Sequence, residues 1–161
     1  MTSAFIDSLH NRNLAVVVTT RLHAYGVIVR KKILVVEDDP DLVELLSFNL
    51  RACGFVVSTS ADGVDALKKA RSILPDLILL DLMLPQLDGF GVCEILRRDA
   101  VTAAIPIIMV TAMSSQFARL AGLEAGANDY ITKPFSPKQL IARVHEMLGH
   151  QLPQTASPLV N

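Results

Sequence analysis

The sequence has little of several residue types that mark particular classes of protein. It contains no tryptophan, two cysteines and 5% aromatic residues in a chain of 161. Cys53 and Cys93 lie 40 positions apart, which matches neither a CxxC redox pair nor the spacing of a metal site. We therefore expect two reduced thiols that are partly buried on helices.

Long hydrophobic runs are absent as well. No apolar run reaches the roughly 18 residues that span a bilayer, because arginines and lysines at positions 12, 21, 30, 31 and 32 interrupt the most apolar stretch. The apolar segment 13–18 lacks the basic start and the clear cleavage site of a signal peptide. The sequence thus predicts a cytoplasmic protein that does not associate with a membrane.

Neither sign of charge dominates the chain as a whole. It has 15 basic and 16 acidic residues, and 51% of its residues are hydrophobic, which is typical of a folded globular protein. Segment 1–31 carries four basic residues against one acidic residue, whereas 32–161 carries 11 against 15. An acidic main body argues against a nucleic-acid surface, so we expect no direct nucleic-acid binding by this chain.

From Lys32 onward, short apolar runs alternate with longer amphipathic segments. The apolar runs are Ile33–Val36, Val56–Ser58, Leu77–Leu80, Ile107–Val110 and Tyr130–Ile131. Helices are predicted to begin near Pro40, Asp62, Asp88, Ser114 and Ser136, where capping residues precede apolar positions at helical spacing. Central strands that are apolar on both faces predict an α/β fold, in which helices cover both faces of a doubly wound, five-stranded parallel sheet.

This alternation divides the chain into three parts. It occupies 32–149, which we interpret as one domain. Residues 1–31 are an N-terminal extension of unknown role with one strand-like run, Ala15–Thr20, and residues 150–161 are a C-terminal tail. The extension fits an appended strand, a flexible leader or a segment upstream of the true start.

Polar side chains follow four of the five predicted strands. Glu37–Asp39 follow the first strand, Asp81 follows the third, Thr111 ends the fourth and Lys133 follows the fifth. Ligand sites of such sheets lie beyond the carboxyl ends of the strands, which all meet at one edge. The sequence therefore predicts a pocket that contains several carboxylates, a hydroxyl and an ammonium group.

A pocket of this composition fits phosphoryl transfer. Clustered carboxylates repel one another unless a cation joins them, and an all-oxygen set with room for water favours Mg²⁺. A divalent ion and a lysine beside one aspartate also neutralise a phosphoryl group during its transfer. Asp81 would be the nucleophile that becomes an acyl phosphate, and Thr111 would offer its hydroxyl to a phosphoryl oxygen. Taken alone, Glu37–Asp39 fits a solvated loop and helix cap equally well.

The motifs at these strand ends resemble those of the receiver domain of two-component response regulators. They are Ile-Leu-Val-Val-Glu-Asp-Asp at 33–39, Leu-Leu-Asp-Leu-Met-Leu-Pro at 79–85 with Asp88-Gly89, Val-Thr-Ala at 110–112, and Asp-Tyr-Ile-Thr-Lys-Pro-Phe at 129–135. The resemblance covers about 32–149 and implies a flavodoxin-like strand order of 2-1-3-4-5. It also implies a regulator, rather than an enzyme, that receives a phosphoryl group from a sensor histidine kinase or a histidine phosphotransfer protein.

The resemblance assigns a role to each polar residue at the predicted edge. Asp81 is the expected phosphoacceptor, and Lys133 pairs with a phosphoryl oxygen. The bond from Lys133 to Pro134 is expected to be cis. The implied Mg²⁺ ligands are Asp39, Asp81 and the backbone carbonyl of Met83, with a metal-bound water held by Asp38.

The same resemblance implies a conformational switch. The hydroxyl of Thr111 moves to meet the phosphoryl oxygens, and Tyr130 rotates inward into the space that is vacated. A tyrosine that is simply buried in the core is the alternative for Tyr130. The fourth helix, fifth strand and fifth helix form the expected output surface, which signals to a downstream protein target.

That surface resembles the one through which the winged-helix transcriptional branch of the family dimerises. The matching residues are Arg119, Leu120, Leu123, Asp129, Ile141 and Arg143. Asn128 and Gln139 stand where that branch has acids, so Arg119 loses an ionic partner. We expect a homodimer that is weaker than in that branch, and a solvated helix face is the alternative.

Met83 and Met113 stand two positions after Asp81 and Thr111. Side chains at these positions border the path of an attacking water in this family. Because thioethers hold water poorly, we expect the phosphoryl group to persist. Replacing Met83 by Asn together with Met113 by Glu should then accelerate its loss.

Other functions remain open at this point. Since no DNA-binding helix pair follows Gly149, we expect either a stand-alone receiver or the receiver piece of a longer DNA-binding regulator. A metal-dependent phosphohydrolase is the rival, but such an enzyme carries a second aspartate two residues after its nucleophile, where this chain has Met83. A flavin or nucleotide binder needs a phosphate-binding loop after the first strand, where this chain has acids.

Overall fold

Strands and helices alternate along the described part of the chain, residues 29–149 of a computed structural model. The strands are β1 (Lys32–Val36), β2 (Val56–Ser60), β3 (Leu77–Leu80), β4 (Ile107–Thr111) and β5 (Asp129–Thr132). The helices are α1 (Pro40–Ala52), α2 (Gly63–Ile73), α3 (Gly89–Arg98), α4 (Gln116–Glu124) and α5 (Pro137–Met147). Positions 1–28 of the predicted extension, including the run Ala15–Thr20, and the tail at 150–161 lie outside the described residues.

The strands form one parallel sheet in the order β2-β1-β3-β4-β5. The register places Val36 between Ser60 and Leu80, and Leu80 in turn beside Met109. The predicted fold class and strand order are therefore confirmed. Because β1 and β3 are central neighbours, the residues that follow them meet in the middle of the sheet edge.

Alternate strand residues enter two separate hydrophobic layers. Ile33 and Val35 of β1 pack on the side of α1 and α5, where Leu50 and Leu140 are fully buried. Residues of the opposite parity, such as Leu34, face the layer that includes α2 and α3. The period of two along each strand explains why both faces need a helical cover.

Helix starts follow the predicted caps, with one shift. The carboxylate of Asp39 accepts hydrogen bonds from the first amides of α1, and Pro40 occupies a first-turn position where a missing amide costs nothing. Helix α4 begins at Gln116, because Ser115 rather than Ser114 caps it, accepting from the amide of Ala118 at 3.1 Å. The prediction near Ser114 was thus early by two residues.

The two thiols differ sharply in their surroundings. Cys93 is buried in α3, whereas Cys53 is exposed at the C-terminal cap of α1. Neither is the partly buried thiol that the sequence suggested. No helix within 29–149 is both long enough and apolar enough to cross a membrane.

Candidate functional site

The carboxyl edge of the sheet, defined by the C-terminal ends of its strands, brings four polar side chains together. Glu37, Asp81 and Thr111 are 3%, 5% and 0% exposed, and Lys133 follows β5 beside them. The amide of Glu37 donates to the carbonyl of Ser60 at 3.0 Å, and that of Asp81 donates to the carbonyl of Val36, also at 3.0 Å. The sheet ladder thus continues one residue beyond β1 and β3 and fixes where both carboxylates begin.

Lys133 connects the carboxylates that follow β1 and β3. Its ammonium nitrogen lies 2.6 Å from Oδ2 of Asp81 and 2.7 Å from Oε2 of Glu37. Its side chain is 21% exposed, so both ion pairs are largely shielded from solvent. The peptide bond from Lys133 to Pro134 is cis, as the resemblance implied.

The pKa values of Glu37 and Lys133 reflect the crowding of charges at the carboxyl edge. Burial raises the pKa of Glu37 above its ordinary value, and the nearby charge of Asp81 raises it further, against the hydrogen bond from Lys133. Burial lowers the pKa of Lys133, but its hydrogen bonds with Asp81 and Glu37 outweigh burial and hold that pKa above the ordinary value. Lys133 therefore stays charged, while Glu37 is protonated more readily than an ordinary glutamate.

Three acids at this edge form a group suited to a cation. Carboxylate oxygens of Glu37, Asp38 and Asp81 lie within 4.8 Å of one another. Asp38 is exposed, which leaves room for water in a coordination shell. An all-oxygen donor set with solvent access fits Mg²⁺, which keeps several waters and takes one or two carboxylates.

The structure departs from the sequence prediction at Asp39. Its Oδ1 accepts from the amides of Asp41 at 3.0 Å and Leu42 at 3.4 Å, so its carboxylate serves the start of α1 instead of the acid group. Glu37 occupies the position in that group which the sequence analysis gave to Asp39. The assignment of Asp39 as a metal ligand stays a prediction, while the start of α1 supplies donors to one oxygen of its carboxylate.

The loop after β3 holds the Asp81 carboxylate from its own backbone. The amide of Met83 donates to Oδ1 of Asp81 at 3.1 Å. Further along the loop, exposed Gln86 has a φ of 67°, a left-handed conformation that is unfavourable for a residue with a side chain. A Cβ on Gly89 would lie 2.3 Å from the carbonyl oxygen of Asp81, so the start of α3 lies directly against the acceptor's backbone.

The loop after β4 joins Thr111 to Tyr130 through Met113. The amide of Met113 donates to Oγ1 of Thr111 at 3.4 Å, and its carbonyl accepts from the Tyr130 hydroxyl at 2.5 Å. Tyr130 is 6% exposed, and Gly122 of α4 lies against its ring, where a Cβ would be 3.3 Å away. The tyrosine thus already occupies the inward position that the sequence analysis reserved for the switched state.

Known proteins share this arrangement. The family model for the response regulator receiver domain matches residues 33–145. The alkaline phosphatase synthesis transcriptional regulatory protein PhoP of Bacillus subtilis is 52% identical over 118 residues, 73% of this chain and 48% of that protein. The chain belongs to the response regulator receiver family. This confirms the family that the motifs indicated, and this receiver is a regulatory domain of the two-component type.

Two further relatives extend the comparison. The DNA-binding dual master transcriptional regulator RpaA of Synechocystis is 44% identical over 78% of this receiver and 53% of that protein. The receiver domain of the sensor histidine kinase PA1611 from Pseudomonas aeruginosa, determined with a magnesium ion coordinated in its active site cleft, is 36% identical with a TM-score of 0.70 over 74% of this chain and 98% of that chain. The chain spans about half the length of these two transcriptional regulators.

The predicted dimer residues of this receiver differ in exposure. Leu120 and Leu123 of α4 are 49% and 41% exposed, whereas Ile141 packs partly into the core beneath α5. Arg143 lies 3.6 Å from Asp129, so these two residues form an ion pair within one molecule. Whether this face joins two copies stays a prediction.

Arg97 of α3 was missed by the sequence analysis. Its guanidinium donates to the carbonyls of Gly126, Ala103 and Ile105 and to Oδ1 of Asn128, at 2.7–3.1 Å. The same oxygen of Asn128 accepts from the amide of Ile107 at 2.9 Å. Asn128, noted in the sequence only as a missing acid, therefore ties the ends of α3 and α4 to the start of β4. An arginine near a helix C-terminus is common on any surface, so no sequence signal distinguishes it.

Proposed function

We propose that this receiver accepts one phosphoryl group on Asp81, with Mg²⁺, from the phosphohistidine of a sensor histidine kinase or a histidine phosphotransfer protein. The observation that carries the proposal is the double ion pair of Lys133 with Asp81 and Glu37 beside exposed Asp38. This arrangement supplies a nucleophile, a fixed cation and a set of metal ligands at one point.

Lys133 and Glu37 position and compensate the acceptor. Both oxygens of Glu37 are occupied, Oε2 by Lys133 and Oε1 by the amide of Asp39 at 3.2 Å. Asp81 is held in the same way, by Lys133 and by the amide of Met83, so both acids anchor the lysine. Asp38 and Asp81 would bind the metal together with the Met83 carbonyl. When bound, Mg²⁺ supplies neutralisation of the negative charge that accumulates during phosphoryl transfer.

The transfer itself is a substitution at phosphorus. A carboxylate oxygen of Asp81 forms a bond to phosphorus as the bond from phosphorus to the histidine nitrogen breaks, and the bonding pair leaves with the imidazole. The ammonium of Lys133, now beside Asp81, pairs with a phosphoryl oxygen. Burial of Asp81 in the sheet edge excludes most water, which favours an acyl phosphate that persists.

The conformational response uses the Thr111–Met113–Tyr130 connection. The new phosphoryl oxygens attract the Thr111 hydroxyl, whose only hydrogen-bond contact within the described residues is a long one of 3.4 Å from Met113. Tyr130 lies inward with its hydroxyl on the Met113 carbonyl, so movement of Thr111 towards the phosphoryl group would act on the loop that holds this tyrosine. The face formed by α4, β5 and α5 then signals to a downstream protein target or to a second copy.

The location of the protein and the alternatives to its function form part of the same proposal. Its cytoplasmic location follows from the need to meet a phosphorylated kinase, and metal-dependent hydrolysis is disfavoured by Met83 at the position of a second acid. The DNA-binding relatives favour a specific alternative, in which these residues are the receiver of a longer transcriptional regulator.

Intact mass measurement tests the proposal. The protein is incubated with Mg²⁺ and a small acyl phosphate, and one added phosphoryl group is expected. Asp81→Asn should show no adduct, whereas the matched control Asp76→Asn, at the opposite end of β3, should still be phosphorylated. Multiple turnover of assorted phosphomonoesters without a trapped adduct would instead support a hydrolase.

A further inference from the structure

Two exposed methionines lie in the loops that follow β3 and β4 at the carboxyl edge. The side chains of Met83 and Met113 are 63% and 37% exposed, whereas Met109 in the centre of β4 is 0% exposed. Met147, at the end of α5, packs partly against the core. Large apolar side chains this exposed are accessible to a small oxidant from solvent, and Met109 provides an internal standard that is not.

Both residues are fixed to the reacting groups through their backbones. The backbone amide of Met83 donates a hydrogen bond to the carboxylate of Asp81. The residue that carries this thioether is thus in direct contact with the acceptor through its backbone. The amide and carbonyl of Met113 contact Thr111 and Tyr130, respectively. A chemical change at either side chain therefore falls on a loop whose backbone contacts Asp81 or Thr111.

The chemistry that suits an exposed thioether is oxygen-atom transfer from a peroxide. The sulfur attacks one oxygen of hydrogen peroxide, the O–O bond breaks, and the second oxygen leaves as water with both protons. The sulfur is oxidised by two electrons and the peroxide is reduced. The product, methionine sulfoxide, is a polar hydrogen-bond acceptor where an apolar group stood, and sulfoxide reductases reverse it.

We propose that Met83 and Met113 are a peroxide-modified pair, and that their oxidation shortens the lifetime of the phosphoryl group on Asp81. The inference rests on the proposed function, since it concerns the lifetime of that adduct. A sulfoxide oxygen beside Asp81 accepts a hydrogen bond from water and orders it near phosphorus, which the thioether does not. A hydrogen bond of ordinary net strength corresponds to a lifetime shortened about two- to tenfold.

The first measurement is independent of phosphorylation. The full chain is treated with increasing hydrogen peroxide and mapped by peptide mass spectrometry. Met83 should be oxidised first and Met113 next, well before Met109. Oxidation of Met109 at the same peroxide concentration as Met83 would overturn the proposed site.

The second measurement is the decay of the acyl phosphate before and after mild oxidation, followed by intact mass. Wild type should lose its phosphoryl group faster after oxidation, and treatment with methionine sulfoxide reductases should restore the original rate. The Met83→Leu/Met113→Leu double variant should respond no further to peroxide, while Met147→Leu should respond like wild type.

The possible results separate this inference from the proposed function. An adduct whose decay is unchanged by oxidation of both methionines overturns the inference and leaves Asp81 phosphorylation intact. An equal response in the double Leu variant would place the sensitive group elsewhere and also overturn it. Failure to form any adduct in untreated protein would overturn the proposed function, and this inference with it.

Discussion

The amino edge and the carboxyl edge of the parallel sheet differ in how their carboxylates are paired with positive charge. At the amino edge, where the strands begin, each oxygen of Asp76 has its own donor, the ammonium of Lys31 and the amide of Lys32, both at 2.8 Å. At the carboxyl edge, the oxygens of Glu37 and Asp81 also have donors, but Lys133 is the one cation among the described residues that pairs with both acids, and Asp38 adds a third negative charge. The Asp76 carboxylate is thus matched by a lysine of its own, whereas the three acids of the carboxyl edge share one.

Among these variants, we expect the largest loss of stability from replacing Arg97, which connects the elements at the amino edge. Arg97→Ala removes the side-chain donor from three backbone carbonyls and leaves Oδ1 of Asn128 with the amide of Ile107 alone, and we expect it to lower the free energy of unfolding by about 2–4 kcal/mol. Urea unfolding monitored by circular dichroism measures this. Arg97→Lys, which keeps the charge but lacks the planar set of donors, should recover less than half of the loss. Full recovery by lysine would mean that charge alone matters there.

Removal of a negative charge from the carboxyl edge should raise the free energy of unfolding, whereas Arg97→Ala lowers it. Without divalent cations, Asp38→Asn relieves repulsion among the three acids, and we expect an increase of about 1 kcal/mol in unfolding free energy. Added Mg²⁺ should stabilise wild type and have little effect on the variant, because ligand binding to the folded state alone raises its stability. Equal stabilisation of both proteins by Mg²⁺ would contradict the assignment of Asp38 as a ligand.

The two edges should also differ in how their acids contribute to stability as the pH falls. In the presence of a chelator, Glu37 has a folded pKa raised above its ordinary 4.5, so its contribution to stability is present below that value and is lost as pH rises through the folded pKa. Asp76 has the reverse shift, because its bonds to Lys31 and Lys32 outweigh burial and hold its pKa below 3.8; its contribution is present above 3.8 and is lost as pH falls through the folded pKa.

The corresponding variants make this pH contrast measurable. Glu37→Gln should reduce the stabilisation gained on going from neutral pH towards pH 4.5, and Asp76→Asn should reduce the loss of stability below 3.8. Thermal melts of both variants and wild type across this range provide the comparison. Parallel curves for Glu37→Gln and wild type would show that Glu37 is not protonated more readily when folded.

The smallest expected effect concerns backbone strain near each edge. Gln86, in the loop after Asp81, and Leu74, before β3, both have positive φ angles, 67° and 46°. Gln86→Gly should stabilise the fold by about 0.5–1 kcal/mol, since glycine removes the left-handed penalty but loses more entropy on folding. Leu74→Gly should give less, because Leu74, with its φ of 46°, is followed by Pro75 and the change also removes the apolar area that the 47% exposed side chain covers. Urea unfolding of the two variants ranks them, and a destabilised Gln86→Gly would disprove the strain.

Much of the fold follows from local pattern. Strands β1, β3 and β4 consist mostly of Leu, Ile and Val, and Asp39, Asp62 and Ser136 mark helix starts by their capping chemistry. The position of Asp81, Thr111 and Lys133 at one edge also follows, because parallel strands must end on the same side. Sequence reasoning was strongest where the backbone alone decides which groups meet.

Sequence reasoning was weaker where two uses compete for one side chain. Three consecutive acids follow β1, and nothing in their identity says that Asp39 bonds to the amides of α1 while Glu37 turns to Lys133. The partners of Arg97 are mostly backbone carbonyls, which leave no residue signature in the sequence. The inward position of Tyr130 depends on the path of the loop through Met113, which residue types do not specify.

The close contact between Gly89 and the backbone of Asp81 limits the directions in which the acceptor can move. The start of α3 lies so close to the Asp81 carbonyl that not even a methyl group fits between them, and Asp81 therefore has no space to recede on that side. The loop after β4, by contrast, has an exposed Met113 and only a long contact to Thr111. If Asp81 accepts a phosphoryl group as proposed, we expect α3 to stay in place and the loop after β4, with Met113, to move towards α4 and β5.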